Sequence, residues 1–103
     1  MVIGVPKEIK PDENRVSMMP FGVKGLIDVG ATVLVENNAG IRSGFSNNSY
    51  KESGAIIVDN PEEIYKDSDM IVKVKEPQSI EFKYIKSGQY IFTYFHFAAN
   101  KQL

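Results

Sequence analysis

Asp69-Met-Ile-Val-Lys-Val-Lys-Glu-Pro77 is the stretch on which the fold turns. Ile71, Val72 and Val74 are β-branched and apolar, the composition of a strand packed on both faces. Lys73 and Lys75 interrupt that run and, being two positions apart, project to the same side of a sheet. Pro77 has no N–H and holds Glu76 extended, so the strand ends near Lys75. A cation at the C-terminal lip of a buried strand stands where open α/β sheets bind ligands. The plain alternative is a lysine whose head snorkels to water at the strand end.

Outward from this strand the pattern repeats. Residues 1–5 are an apolar run closed by Pro6, a first strand, and the polar, turn-rich residues 7–14 form a loop. Ser17 is placed to cap a helix with Pro20 in its first turn, a stripe of Phe21, Val23, Leu26, Ile27 and Val29, and Gly30 as its stop. Residues 31–36 make a second strand. Ser46 caps a short helix through Tyr50 that stops at Gly54, and residues 55–58 make a third strand. Asn60-Pro-Glu-Glu63 is a helix start, with a cap, a proline at the first position and acids at the positive end. Residues 69–75 are the fourth strand, 79–86 a helix ended by Gly88, and 89–95 a fifth strand with His96 directly after it. Asn100-Lys-Gln-Leu103 reads as a cap and one helical turn, too short to hold as a helix alone. The chain is therefore expected to be a fragment, incomplete at its C-terminus.

Strands alternating with short helices predict an α/β fold with a Rossmann-like (flavodoxin-like), mostly parallel sheet and flanking helices. Parallel connection places the exit ends of all strands along one edge, so Arg15, Lys75 and His96 are expected near one crevice.

With 103 residues the chain makes at most one domain, and its 43% apolar content can build a core. A net charge of −1 gives no electrostatic reason for nucleic acid or an anionic membrane as partner. The absence of cysteine excludes disulfides, thiolate catalysis and thiolate metal sites. The opening Met1-Val-Ile-Gly-Val-Pro6 has no basic segment and no long apolar run, so a cytoplasmic location is expected. No cluster has metal-ligand spacing, and the glycines at 40 and 44 lack the dinucleotide fingerprint.

Five residues could carry chemistry. His96, the single histidine, titrates near neutrality in its unperturbed state, though a core-edge histidine bonded to backbone would look the same. Tyr94 shares its strand face with His96, or simply packs there. Arg15 can hold a carboxylate bidentately, or pair with Glu8, Asp12 or Glu13 on the surface. Lys7 is a second cation near Arg15 with the same ambiguity, and Lys75 is the strand-end cation. Two cations, one histidine and no nucleophile fit binding and protonation of a small anionic carbonyl compound.

Ile3-Gly-Val-Pro-Lys-Glu8, Glu13-Asn-Arg-Val16, Gly40 through Ser43-Gly-Phe45, Asp69 through Val72-Lys-Val-Lys-Glu-Pro77, and Tyr94-Phe-His-Phe-Ala98 together resemble the N-terminal part of the alanine dehydrogenases. The resemblance runs in order across essentially the whole chain. It implies that residues 1–103 are an N-terminal substrate domain, with the NAD-binding domain absent and no cofactor-binding residue in this segment. The full enzyme would be an oligomer that interconverts L-alanine with pyruvate and ammonium. By resemblance, Arg15 binds the substrate carboxylate and Lys75 the carboxylate or carbonyl oxygen. His96 polarises the carbonyl and acts as general acid/base, and Tyr94 lines the pocket. The same domain occurs in the alpha subunit of NAD(P) transhydrogenase, where the positions of Lys75 and His96 do not keep lysine and histidine. A stand-alone α/β module is the remaining alternative, with Asp59 at the end of the third strand as a receiver-like acid.

Overall fold

The structure, a computed structural model, describes residues 1–94 in full and residues 97–99 as backbone. Five parallel strands form the sheet: β1 (Val2–Val5), β2 (Thr32–Glu36), β3 (Ile56–Val58), β4 (Met70–Lys73) and β5 (Tyr90–Thr93). A sixth, β6 (Phe97–Ala99), pairs antiparallel with β5 at one edge. The order is β3-β2-β1-β4-β5-β6. The expected α/β, Rossmann-like, mostly parallel sheet is therefore the fold. Of the two doubly wound orders it has the one in which β1 and β4 are neighbours, not the flavodoxin order that inserts β3 beside β1.

The helices α1 (Pro20–Asp28), α2 (Asn47–Glu52) and α3 (Pro61–Asp67) serve as crossovers. Alternate residues of β2 assign the faces. Val33 and Val35 pack with Val5, Val23, Tyr50 and Ala55 under α1 and α2. Leu34 packs with Ile64, Tyr65, Ile71 and Ile91 under α3. Winding starts at β1, runs outward through β2 and β3, and returns over α3 to β4 on the other side of β1. Successive right-handed crossovers then put α1 and α2 on one face and α3 on the other. β1 lies close beneath α3 because Gly4 lets it. A Cβ there would collide with Ser68 Oγ and stand 2.9 Å from Ile64 Cγ2.

Two capped starts follow the sequence directly: Ser46 Oγ accepts from the Ser49 amide, and Asn60 Oδ1 from the Glu63 amide. Others differ. Ser17 caps nothing. Its hydroxyl donates to the Val72 carbonyl on β4 (2.8 Å), and the residue before Pro20 at the helix start is Met19. The α1 stripe is only partly inward: Val23 is buried, but Phe21 is 88% and Val29 81% exposed. β4 leaves the ladder at Lys73 instead of Lys75, because Pro77 and the turn before it draw the chain away. The helix expected over residues 79–86 is a 3₁₀ helix at Ser79–Tyr84, with Glu81 Oε1 accepting from the Gln78 amide. β5 is shorter than residues 89–95, and β6 follows where no strand was expected. The helical turn expected from Asn100 lies outside the described residues.

Candidate active site at the strand switch point

β1 and β4 pair only through Ile3–Met70 and Gly4–Ile71. β1 then continues into Pro6-Lys7-Glu8 and β4 into Val74-Lys75, and the two chains part. This is where the winding reverses, and in open α/β sheets ligands bind in the crevice outside such a point.

A side chain bridges the floor of the crevice. Glu8 Oε1 accepts from Lys73 Nζ (3.1 Å) and from the Lys75 amide (3.3 Å), and Oε2 accepts from the Val74 amide (3.0 Å). One carboxylate thus takes over where the ladder stops. Lys73 Nζ also lies 3.4 Å from Glu81 Oε2, which accepts from the Tyr65 hydroxyl at 2.9 Å. Lys73 is 1%, Glu8 5% and Glu81 2% exposed. Charges so deeply buried persist only when paired and hydrogen-bonded, and these are. Burial, helped by the Glu81 charge and hydrogen bond, drives the Tyr65 phenol to a raised pKa. Burial also raises Glu36 at the end of β2, against the Lys7 amide that donates to it at 2.9 Å.

Above this floor the loop after β1 is strapped across the strand ends. Ser43 Oγ donates to the Asn14 carbonyl, Ser17 Oγ to Val72, and the Tyr50 hydroxyl to the Met18 carbonyl (2.7 Å). The Tyr94 hydroxyl donates to the Ser17 carbonyl. These ties hold Arg15 over the same edge. The guanidinium is bound to Glu13, Nε at 2.9 Å and Nη2 at 3.0 Å, so the acid pairing foreseen for Arg15 is made, with Glu13. That bond, together with the smaller pull of the Lys75 charge, holds the Glu13 carboxyl down at about 2, and Arg15 is raised in return. Glu8 also acts electrostatically on Arg15. Arg15 is thus bonded to Glu13, and the Lys75 charge acts on that same carboxylate.

Lys75 is half-buried at the lip, and Tyr94 is half-exposed with its ring edge-on to Phe92. His96 lies outside the described residues. Sequence reasoning missed the floor: Glu8 and Glu13 entered only as surface partners for Arg15, and Glu81 and Tyr65 not at all. A signal was available. A lysine inside Ile71-Val72-Lys73-Val74, a run read as buried on both faces, demands a buried acid opposite it.

Among the described residues no helix is long and apolar enough to cross a membrane, and no group of three or more His, Cys, Asp or Glu is placed to hold a metal. Residues 4–103 match the family described as "Alanine dehydrogenase/PNT, N-terminal domain". Over all 103 residues the chain is 50% identical to the alanine dehydrogenase of Bacillus subtilis. It is equally identical, at 50%, to that of Staphylococcus saprophyticus. It spans 27% and 28% of those two proteins. A solved L-alanine dehydrogenase superposes with a TM-score of 0.88 at 42% identity, over 91% of this chain and 26% of that one. A transhydrogenase from Sinorhizobium meliloti superposes at 0.83 and 31% identity, over 88% and 27%.

Proposed function

The chain belongs to the alanine dehydrogenase/PNT N-terminal domain family, and from that membership we propose that residues 1–103 are the substrate domain of an NAD-dependent alanine dehydrogenase. The complete enzyme would convert L-alanine, NAD and water to pyruvate, ammonium and NADH, as a cytoplasmic homo-oligomer. Arg15 binds the substrate carboxylate, and Lys75 the carboxylate or the carbonyl oxygen. Tyr94 lines the pocket, and His96 serves as general acid/base when the imine is hydrated. The observation that supports this reading is that Arg15 is bonded to the buried Glu13, a carboxylate on which the Lys75 charge also acts, while the Lys75 amide is tied to Glu8 at the end of β4. Two cations above an apolar sheet suit a small carboxylate with a polarised oxygen beside it.

The crevice does not fit a dinucleotide. Its βα turn is Val5-Pro6-Lys7-Glu8, without the glycines that allow close backbone approach to a pyrophosphate. The glycine loop near Gly40 is filled as well: a Cβ on Gly40 would stand 2.7 Å from the Tyr50 ring and 3.0 Å from Phe45 Cβ. NAD binding is therefore assigned to another domain of the complete enzyme, and no step is routed through this chain's glycines.

A proton NMR titration of the chain with pyruvate tests the reading. The single histidine makes its ring signals unambiguous. Saturable shifts of the His96 signals, weakened by Lys75→Ala, are expected. Full saturation that is indifferent to Lys75→Ala and Arg15→Met would remove the site from this edge. A second reading, the corresponding part of a transhydrogenase alpha subunit, draws on the Sinorhizobium meliloti likeness. It predicts that the complete enzyme exchanges hydride between nicotinamide nucleotides and ignores alanine.

A further inference from the structure

The turn that delivers Arg15 also buries an acid beside it. The Glu13 amide donates to the Lys10 carbonyl at 3.0 Å, and Asp12 closes the turn at a φ of 66°, in the left-handed region that aspartate tolerates. The chain then sends Glu13 inward and Arg15 outward: the side chains are 6% and 61% exposed. An ordinary surface pair leaves both partners in water. Here both carboxylate oxygens are turned to the neighbour. Oε2 accepts from the Arg15 amide at 3.0 Å and from Nε at 2.9 Å, and Oε1 accepts from Nη2 at 3.0 Å.

A guanidinium is a planar fork of five N–H donors, with more than one edge able to grip a carboxylate. Glu13 takes the edge formed by Nε and Nη2. The edge formed by Nη1 and the second Nη2 hydrogen is not in that pair. Fixing the first edge also restrains a long side chain that would otherwise lose its rotamer freedom on binding. The Lys75 charge also acts on this carboxylate, more weakly than Arg15 does.

We infer that Glu13 is a positioning residue for the keto acid: it locks the Arg15 fork so that its outer edge meets the substrate carboxylate beside Lys75. The inference rests on the reading of Arg15 and Lys75 given above. Its rival is a Glu13 that competes with substrate for Arg15.

Steady-state reductive amination by the complete enzyme separates them, with Glu13→Gln, Glu13→Asp and Arg15→Met compared to wild type. Glutamine puts an N–H₂ against the fork, and aspartate is a methylene too short to reach both nitrogens. Either should raise KM for pyruvate about tenfold, the loss of roughly one charge-assisted hydrogen bond. kcat and the KM for ammonium should hold, as expected when uniform binding is removed. Discrimination of pyruvate against its methyl ester should shrink, a change that a merely structural acid would not produce. A fall in KM for pyruvate would make Glu13 a competitor and overturn the inference. An unchanged KM, with Arg15→Met still raising it, would overturn the inference and leave the function standing. If Arg15→Met is also silent, the assignment of Arg15 as the carboxylate ligand fails, and the inference fails with it.

Discussion

Lys73 and Lys75 stand two residues apart at the end of β4, and the fold uses them oppositely. Lys73, the last residue in the ladder, is 1% exposed and held between Glu8 and Glu81. Lys75 is past the ladder, half-buried, with its amide tied to Glu8 and its side chain at the lip of the crevice. The same carboxylate serves both: it neutralises one lysine and sets the backbone of the other. One step beyond the end of a parallel strand thus separates a structural cation from one that can meet a ligand.

The sharpest way to break this contrast is Lys73→Met. It leaves Glu8 and Glu81 buried without their cation, and a loss of about 3–5 kcal/mol in urea unfolding is expected. A loss below about 1 kcal/mol would show that the floor is not held by charge. Lys75→Ala should do the reverse. Stability should stay within about 0.5 kcal/mol, because the side chain is only half-buried and lies past the end of the ladder. Alanine turnover by the complete enzyme should fall by at least about a hundredfold, or ~2.7 kcal/mol of barrier. Near-normal turnover would remove Lys75 from the site.

Smaller effects sharpen the same picture. Gly4→Ala drives a methyl into Ser68 and Ile64 at the paired start of the switch point, and should cost about 1–3 kcal/mol by overpacking. A neutral result in thermal unfolding would mean that β1 and α3 can move apart. Tyr50→Phe removes the hydroxyl that holds the Met18 carbonyl, part of the strap over the crevice, and should cost about 1 kcal/mol. The smallest effect is in acid. The folded Glu13 carboxyl lies near 2 against an ordinary 4.5, so its pairing with Arg15 stabilises fully above about pH 4.5 and fades as pH falls through 2. Carboxyl-carbon NMR should place the Glu13 midpoint well below those of exposed glutamates. A midpoint near 4.5 would mean that the pair with Arg15 is not formed in solution.

Much of this was legible in the chain. The β-branched runs, Pro6, Gly30 and Gly54, and the caps at Ser46 and Asn60 act within a few residues, and they landed close to where local chemistry put them. The mostly parallel sheet followed from the same alternation. What failed was non-local. Ser17 looked like a cap because serines before helices usually are, but its hydroxyl found Val72, 55 residues away. Phe21 and Val29 fit a helical stripe, yet only part of α1 meets the sheet. The tie from the Tyr94 hydroxyl to the Ser17 carbonyl spans the same kind of distance along the chain and had no local signal.

By itself the sequence determined the α/β class, most of the strands and the family, because periodicity, turn residues and ordered motifs are local and additive. Only the tertiary structure decided which way the sheet winds after β3, which lysine is buried, and that Glu8 and Glu13 face inward. Those outcomes depend on pairing groups far apart in sequence, where the cost of burying one charge is met only by the position of another.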